Sequence, residues 1–150
     1  MATMPSLDFY AVFDGEIAAG GYKGVNSAIG AIEQKVKENQ ATAKDNEQLA
    51  TLYLVREAMA RGVVFLGVNL EKSDATAFLP EDGKIRMPFN SLPGLGDTAA
   101  QKIAEVRDSQ KINSVEELRL KTGISKTVVE ILRRNHVLDG LTETNQMTLF

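Results

Sequence analysis

Leu92-Pro93-Gly94-Leu95-Gly96-Asp97-Thr98 runs directly into a helix-forming stretch from Ala99 to Arg107. Two glycines around one leucine permit a tight turn with positive φ at no Cβ cost, and Leu95 can plug the space between flanking helices. Such a turn leaves backbone N–H groups unpaired at the start of the next helix, where the helix dipole favours an anion. The expected chemistry is phosphate binding by Gly94, Leu95, Gly96, Asp97 and Thr98, helped by Lys102. Asp97 is expected to cap the helix through its side chain, its charge weakening the binding somewhat. A second stretch, Thr122-Gly123-Ile124-Ser125-Lys126-Thr127, repeats the arrangement with one glycine fewer. It adds Gly123, Ser125, Lys126 and Thr127 either as a second phosphate-binding set or as structural support.

Other chemistry finds little footing. The chain has no cysteine and a single histidine, His136, so thiolate metal sites are absent and His136 is expected at a surface or cap position. No carboxylate pair has the spacing for two-metal phosphoryl chemistry. Neither a nucleophile-base constellation nor a Walker loop is present. The expectation is a chain with no catalytic residue, no metal and no cofactor, not an enzyme on its own.

Composition agrees with this. The formal net charge is −3, which argues against a protein that coats nucleic acid non-specifically. The charge is uneven, however: residues 1–83 hold seven Lys/Arg against twelve Asp/Glu, residues 84–134 hold ten against six, and residues 135–150 hold none against two. The basic excess falls on the glycine turns. Lack of cysteine, of a signal segment and of a membrane-length apolar run leads to the expectation of a cytoplasmic protein with no membrane partner.

These turns need helices to position them. Ala99, Ala100, Ile103 and Val106 place small and branched residues on one helical face, where two helices can cross closely. Together with the turn they form a helix-hairpin-helix element. A Gly-x-Gly turn alone also occurs in ordinary helical hairpins, so the weakened repeat around Gly123 is the better evidence. Upstream, Phe9 to Phe13 suggests a short strand, and helical spacing starts at Gly24 with Val25, Ile29, Ile32 and Val36. A second helix follows the Thr42/Asp45 capping box, carries Leu49, Leu52, Tyr53, Val55 and Met59, and stops at Gly62. Val63 to Leu66 and Val68 to Leu70 suggest a strand, and Asp82-Gly83 a hairpin between Ala75–Leu79 and Lys84–Pro88. Ser114 opens another capped helix. The predicted fold is mainly α with a small β-hairpin: an N-terminal helical hairpin (1–74), the β-hairpin with tandem helix-hairpin-helix elements (75–139), and a flexible tail (140–150).

The tail reads Gln146-Met147-Thr148-Leu149-Phe150. Two large apolar groups gain nothing in water, so the tail either folds back on the core or is a ligand for a pocket elsewhere. Its spacing resembles the sliding-clamp-binding peptide of bacterial replication proteins, in which Gln146 would meet the pocket rim while Leu149 and Phe150 fill the groove. From Ala43 onward the chain also resembles the carboxyl-terminal end of the PolC-type DNA polymerase III alpha subunit. The resemblance is carried by Arg61-Gly62, Val68-Asn69-Leu70, Lys72-Ser73, Ala75-Thr76, Phe78, Pro88 to Gly96, Ser125-Lys126-Thr127 and Gln146 to Phe150. It implies the end of a fingers region, then a duplex-binding domain and a clamp-binding tail, without the palm and its metal-binding carboxylates. Residues 1–40 match that pattern poorly.

The expected function is thus a non-catalytic, duplex-DNA-binding and clamp-binding fragment of a replicative polymerase. Two alternatives stay open. One is a stand-alone helix-hairpin-helix accessory protein of DNA uptake or repair; the other is a protein-interaction module whose hairpins are scaffold only.

Overall fold

The computed structural model describes residues 13–144. Its elements in chain order are α1 (Gly15–Ala19), α2 (Gly21–Lys37), α3 (Ala43–Ala60), β1 (Phe65–Leu66), β2 (Leu79–Glu81), β3 (Lys84–Arg86), a 3-10 turn over Phe89–Ser91, α4 (Asp97–Ser109), α5 (Val115–Thr122) and α6 (Lys126–Arg134). The fold is mainly α with a small sheet, as the sequence predicts. The strand expected over Phe9–Phe13 lies almost wholly outside the described residues.

α2 and α3 pair as a helical hairpin. Val25, Ile29 and Ile32 meet Leu52 and Val55 in one apolar cluster that also takes in Phe13, Ala18 and Met87. Two polar links staple the outer faces: Tyr53 Oη donates to Glu33 at 2.7 Å, and Arg56 donates to Asn26 at 3.3 Å. The Thr42/Asp45 capping box forms in both directions, each bond 3.0 Å, an arrangement whose cap alone is typically worth about 1 kcal/mol. Val36 departs from its expected burial and is 43% exposed. It sits in the last turn of α2, beside the polar connection to α3, which offers nothing large enough to cover it.

The β-hairpin forms around Asp82 and Gly83, both at positive φ (53° and 78°), as a two-residue primed turn requires. β1 joins it as a third strand, parallel to β3 with Phe65 opposite Ile85, in the order β1-β3-β2. β1 is only two residues long because the chain turns away at Asn69. The Asn69 side chain accepts from the N–H groups of Glu71 and Lys72, while Ser73 Oγ accepts from Asn69 N–H and donates to Met87 O at 2.7 Å. A side chain that occupies backbone donors in this way competes with a strand.

The second apolar cluster holds the tandem element. Leu92, Leu95, Ala100 and Ile103 from the first copy pack with Leu118, Ile124, Val128, Ile131 and Leu132 from the second. The first helix of the first copy is the single 3-10 turn at Phe89–Ser91; in the second copy it is α5. The two turns share a backbone: Gly94 and Gly123 have φ of 87° and 71°, and Gly96 and Ser125 are extended N-caps with φ, ψ of −78°, 171° and −74°, 164°. Between them Leu95 and Ile124 are buried.

Only one glycine of Gly94-Leu95-Gly96 therefore needs to be glycine. A Cβ on Gly94 would fall 2.9 Å from Ile131 Cδ1 on α6, whereas one on Gly96 would meet nothing within 4 Å. The expectation that both glycines are demanded by the turn is corrected accordingly. Gly94→Val should lower stability by ~2 kcal/mol or more, from left-handed strain plus overlap with Ile131. Gly96→Ala should stay within about 0.5 kcal/mol of the parent. Thermal denaturation of the two variants checks this contrast.

Candidate nucleic-acid interface

The Leu92–Gly96 turn ends in a helix start that the protein leaves uncapped. Gly96 is the N-cap of α4 and offers no side chain, so no side-chain bond reaches the first-turn donors. Leu95 N–H is used internally, donating to Leu92 O at 3.1 Å, and Ala100 N–H donates to Gly96 O at 3.0 Å. The intervening first-turn N–H groups, of Asp97, Thr98 and Ala99, have no carbonyl behind them in the helix. Asp97 is the first residue of α4 rather than its cap. Its carboxylate instead accepts from Asn90 Nδ2 at 3.0 Å, so the side chain bridges back to the 3-10 turn. It remains exposed, as do Gly96, Thr98 and Lys102.

The second turn is built alike but capped by itself. Ser125 Oγ accepts from Val128 N–H at 3.2 Å, taking up a first-turn donor that the first copy leaves open. Gly123, Ser125, Lys126 and Thr127 are exposed, while Ile124 is 6% exposed and buried with the core. The predicted residues thus lie at two places. Gly94, Leu95 and Gly96 line one groove of about 580 Å³, and Gly123 and Lys126 line another of about 980 Å³ between α5 and α6.

The first groove brings in residues that sequence reasoning missed. Lys44 and Gln48, from the first turns of α3, and Asp14, the N-cap of α1, face Leu92 to Gly96 across it. Lys44 is 48 residues or more from the turn in sequence, so no local signal marks it. Lys44, Lys102 and Lys126 form no ion pair among the described residues. Several arginines of the basic stretch are, by contrast, committed. Arg86 pairs with Glu81, Arg133 with Glu143 and Arg134 with Glu16. Arg107 turns inward, donating to the carbonyls of Leu70 and Ser73 while its guanidinium lies 5.8 Å from the Phe89 ring centre. The cationic surface near the first turn is therefore made by lysines, whereas near the second turn the exposed Arg119 stands with Lys126.

Two carboxylates moderate it. Asp97 sits at the helix start, and Asp14 lines the groove with its side chain accepting from Ile17 N–H at 3.0 Å. Burial pushes the Asp14 carboxyl above the ordinary carboxylate range, against the lowering effect of the Ile17 and Glu16 backbone donors. Glu16 goes the other way: its hydrogen bonds to Arg134 hold it below the usual range, which ties α1 to α6 with a charge pair. His136 is exposed, takes φ of 63° one residue past the Asn135 C-cap of α6 and lies 3.1 Å from Asp139, a surface position as expected. Among the described residues no group of three or more His, Asp or Glu is placed to hold a metal ion, and no helix is long and apolar enough to cross a membrane. Gln146, Leu149 and Phe150, the predicted clamp-binding residues, lie outside the described residues.

Comparison with known proteins points the same way. Residues 62–148 match the model of the helix-hairpin-helix motif family. The chain is 41% identical over 138 residues, 92% of its length, to a DNA polymerase III PolC-type of Caldanaerobacter subterraneus, a match that takes in most of residues 1–40 and corrects the expectation of a poor match there. It is 42% identical over 125 residues, 80% of its length, to one of Clostridium perfringens, and 35% identical over 92% of its length to one of Streptococcus thermophilus. It spans about a tenth of these relatives: 10%, 9% and 9% of their lengths respectively.

Asp14 gives the interface a pH dependence with a definite sign. Because its folded value is raised, its stability contribution is present at low pH and is lost as pH rises through the folded value, leaving a charged carboxylate beside the groove at neutrality. Asp14→Asn keeps a side-chain cap and removes that charge. Binding of a fluorescently labelled duplex to the variant should be severalfold tighter than to the parent at about pH 7. The two should converge as pH falls through the raised Asp14 value and the carboxylate is protonated. Anisotropy titrations across that range measure it.

Proposed function

The chain belongs to the helix-hairpin-helix motif family and is homologous over most of its length to part of PolC-type DNA polymerase III, and from this premise we propose that it is a non-catalytic part of a replicative polymerase that holds duplex DNA. The observation that carries the reading is the uncapped start of α4, facing Lys44 across the first groove. Donors there have fixed directions and a positive dipole end. In this reading a phosphate oxygen sits on the N–H groups of Asp97 to Ala99, with Lys44 lining the groove that adjoins Gly96 and Lys102 following in the second turn of α4. Contacts of this type go to the backbone of the duplex and carry no sequence information. The second turn, with Ser125, Lys126 and Thr127, acts chiefly as support, since its own serine already satisfies one donor. Nucleotidyl transfer is assigned to parts of the polymerase outside this chain.

In this reading residues 75–139 grip the duplex and residues 140–150 engage the sliding clamp through Gln146, Leu149 and Phe150. Burying Leu149 and Phe150 in a clamp groove gains roughly 3–5 kcal/mol before ordering costs. A contact on the order of micromolar follows, weak enough to release and strengthened when DNA is held at the same time.

For the duplex, log affinity should fall linearly with log salt at a slope of about −2 to −3, corresponding to two or three neutralised phosphates. Lys44→Glu should weaken binding by roughly tenfold and flatten the slope by about one. Unchanged affinity and slope in this variant would remove the groove from the interface. For the clamp, the double change Leu149→Ala with Phe150→Ala should cost at least about tenfold in affinity by surface plasmon resonance, leaving duplex binding as it was.

A further inference from the structure

We infer that the groove between α5 and α6 is a dock for this chain's own residues 145–150, so that the tail is held against the second hairpin when no other protein takes it. The segment that leads into the tail is bonded to the start of α5 and to α6. Val115 N–H donates to Thr142 O at 2.8 Å and Glu116 N–H to Glu143 O at 3.0 Å, with Ser114 and Thr142 paired as in a parallel ladder. Thr142 Oγ1 adds a bond to Asn113 O at 3.3 Å, and the Arg133 guanidinium on α6 pairs with the Glu143 carboxylate. The chain is thereby strapped across the start of α5 and fixed to α6, and Glu143 and Thr144 themselves form part of the groove wall.

The groove suits an apolar occupant. Val115, Leu120, Ile124 and Val129 line it, and Leu120 stands 75% exposed, the most exposed large apolar side chain among the described residues. The residues that follow Thr144 are Asn145, Gln146, Met147, Thr148, Leu149 and Phe150. In an extended chain alternate side chains share a face, which would put Met147 and Leu149 on one side and Gln146, Thr148 and Phe150 on the other. Reach is ample: six extended residues span about 20 Å, and the eight residues of α5 make a helix of about 12 Å.

Docking of this kind has a functional consequence that rests on the clamp reading. Leu149 cannot sit in the groove and in a clamp pocket at once. The apparent clamp affinity is then reduced by the fraction of tail that is free.

The test uses the full chain, labelled with 15N, and two variants. Leu149→Asp removes the occupant, and Leu120→Asp changes an exposed groove residue without touching the core. In the parent the amide signals of Leu120, Ile124 and Val129 should differ from those in Leu149→Asp, while signals of α2 and α3 coincide. Coincident groove signals would overturn the proposal. In a clamp titration, Leu120→Asp should bind two- to threefold more tightly than the parent, and equal affinities would likewise overturn it. Absence of any clamp binding by the parent would count against the clamp reading alone, and the groove signals would then decide the docking.

Discussion

The tandem element depends on one close approach, Gly94 beneath Ile131. The first turn needs a left-handed residue at Gly94, and α6 packs so near that even a Cβ would stand 2.9 Å from Ile131 Cδ1. Glycine satisfies both demands at once. With that position fixed, Leu95 is driven into the shared core beside Ile124, Val128 and Leu132, and Gly96 is left extended at the head of α4. The two hairpins are then one packed unit, in which neither copy can shift without exposing apolar surface of the other. This coupling gives physical meaning to the internal repeat, since a single hairpin has no second face to close its core.

Local rules read well because they act within a few residues. The Thr42/Asp45 box, the Ser114 cap, the Asp82-Gly83 turn and the repeat at Gly123 all form where their residue types imply. Misreadings arose where distant partners decide the outcome. Asp97 looked like a cap, yet the helix begins one residue earlier at Gly96 and Asp97 turns to Asn90 instead. Arg107 counted toward a basic surface, but it closes the Leu70–Ser73 loop against α4 from inside. Val36 fits the helical period, though nothing lies opposite it. Lys44 carries no local signal, because only the fold brings the start of α3 to face the turn across the groove. The two-residue β1 and its parallel pairing were likewise beyond reach, being set by where Asn69 breaks the chain's course.

Comparison of the two turns also divides their labour. Their backbones agree closely, so the difference lies in one side chain: Ser125 bonds its own helix, and Gly96 has nothing to offer. A self-capped helix start is more stable alone, whereas an uncapped one gains most from an external anion. Lysines on either side supply attraction, and Asp14 and Asp97 limit it. Under the proposed function, that balance suits a modest and releasable grip on duplex DNA.

The central claim is that the start of α4 and the head of α3 form one phosphate-binding surface. Titrating the 15N-labelled chain with a short duplex and following every backbone amide tests it most directly. The largest shifts are expected at Gly96 to Ala99, with smaller shifts around Lys44 and Gln48 appearing at the same duplex concentration. The claim would be contradicted by saturable shifts that cluster elsewhere while the amides of Gly96 to Ala99 stay in place.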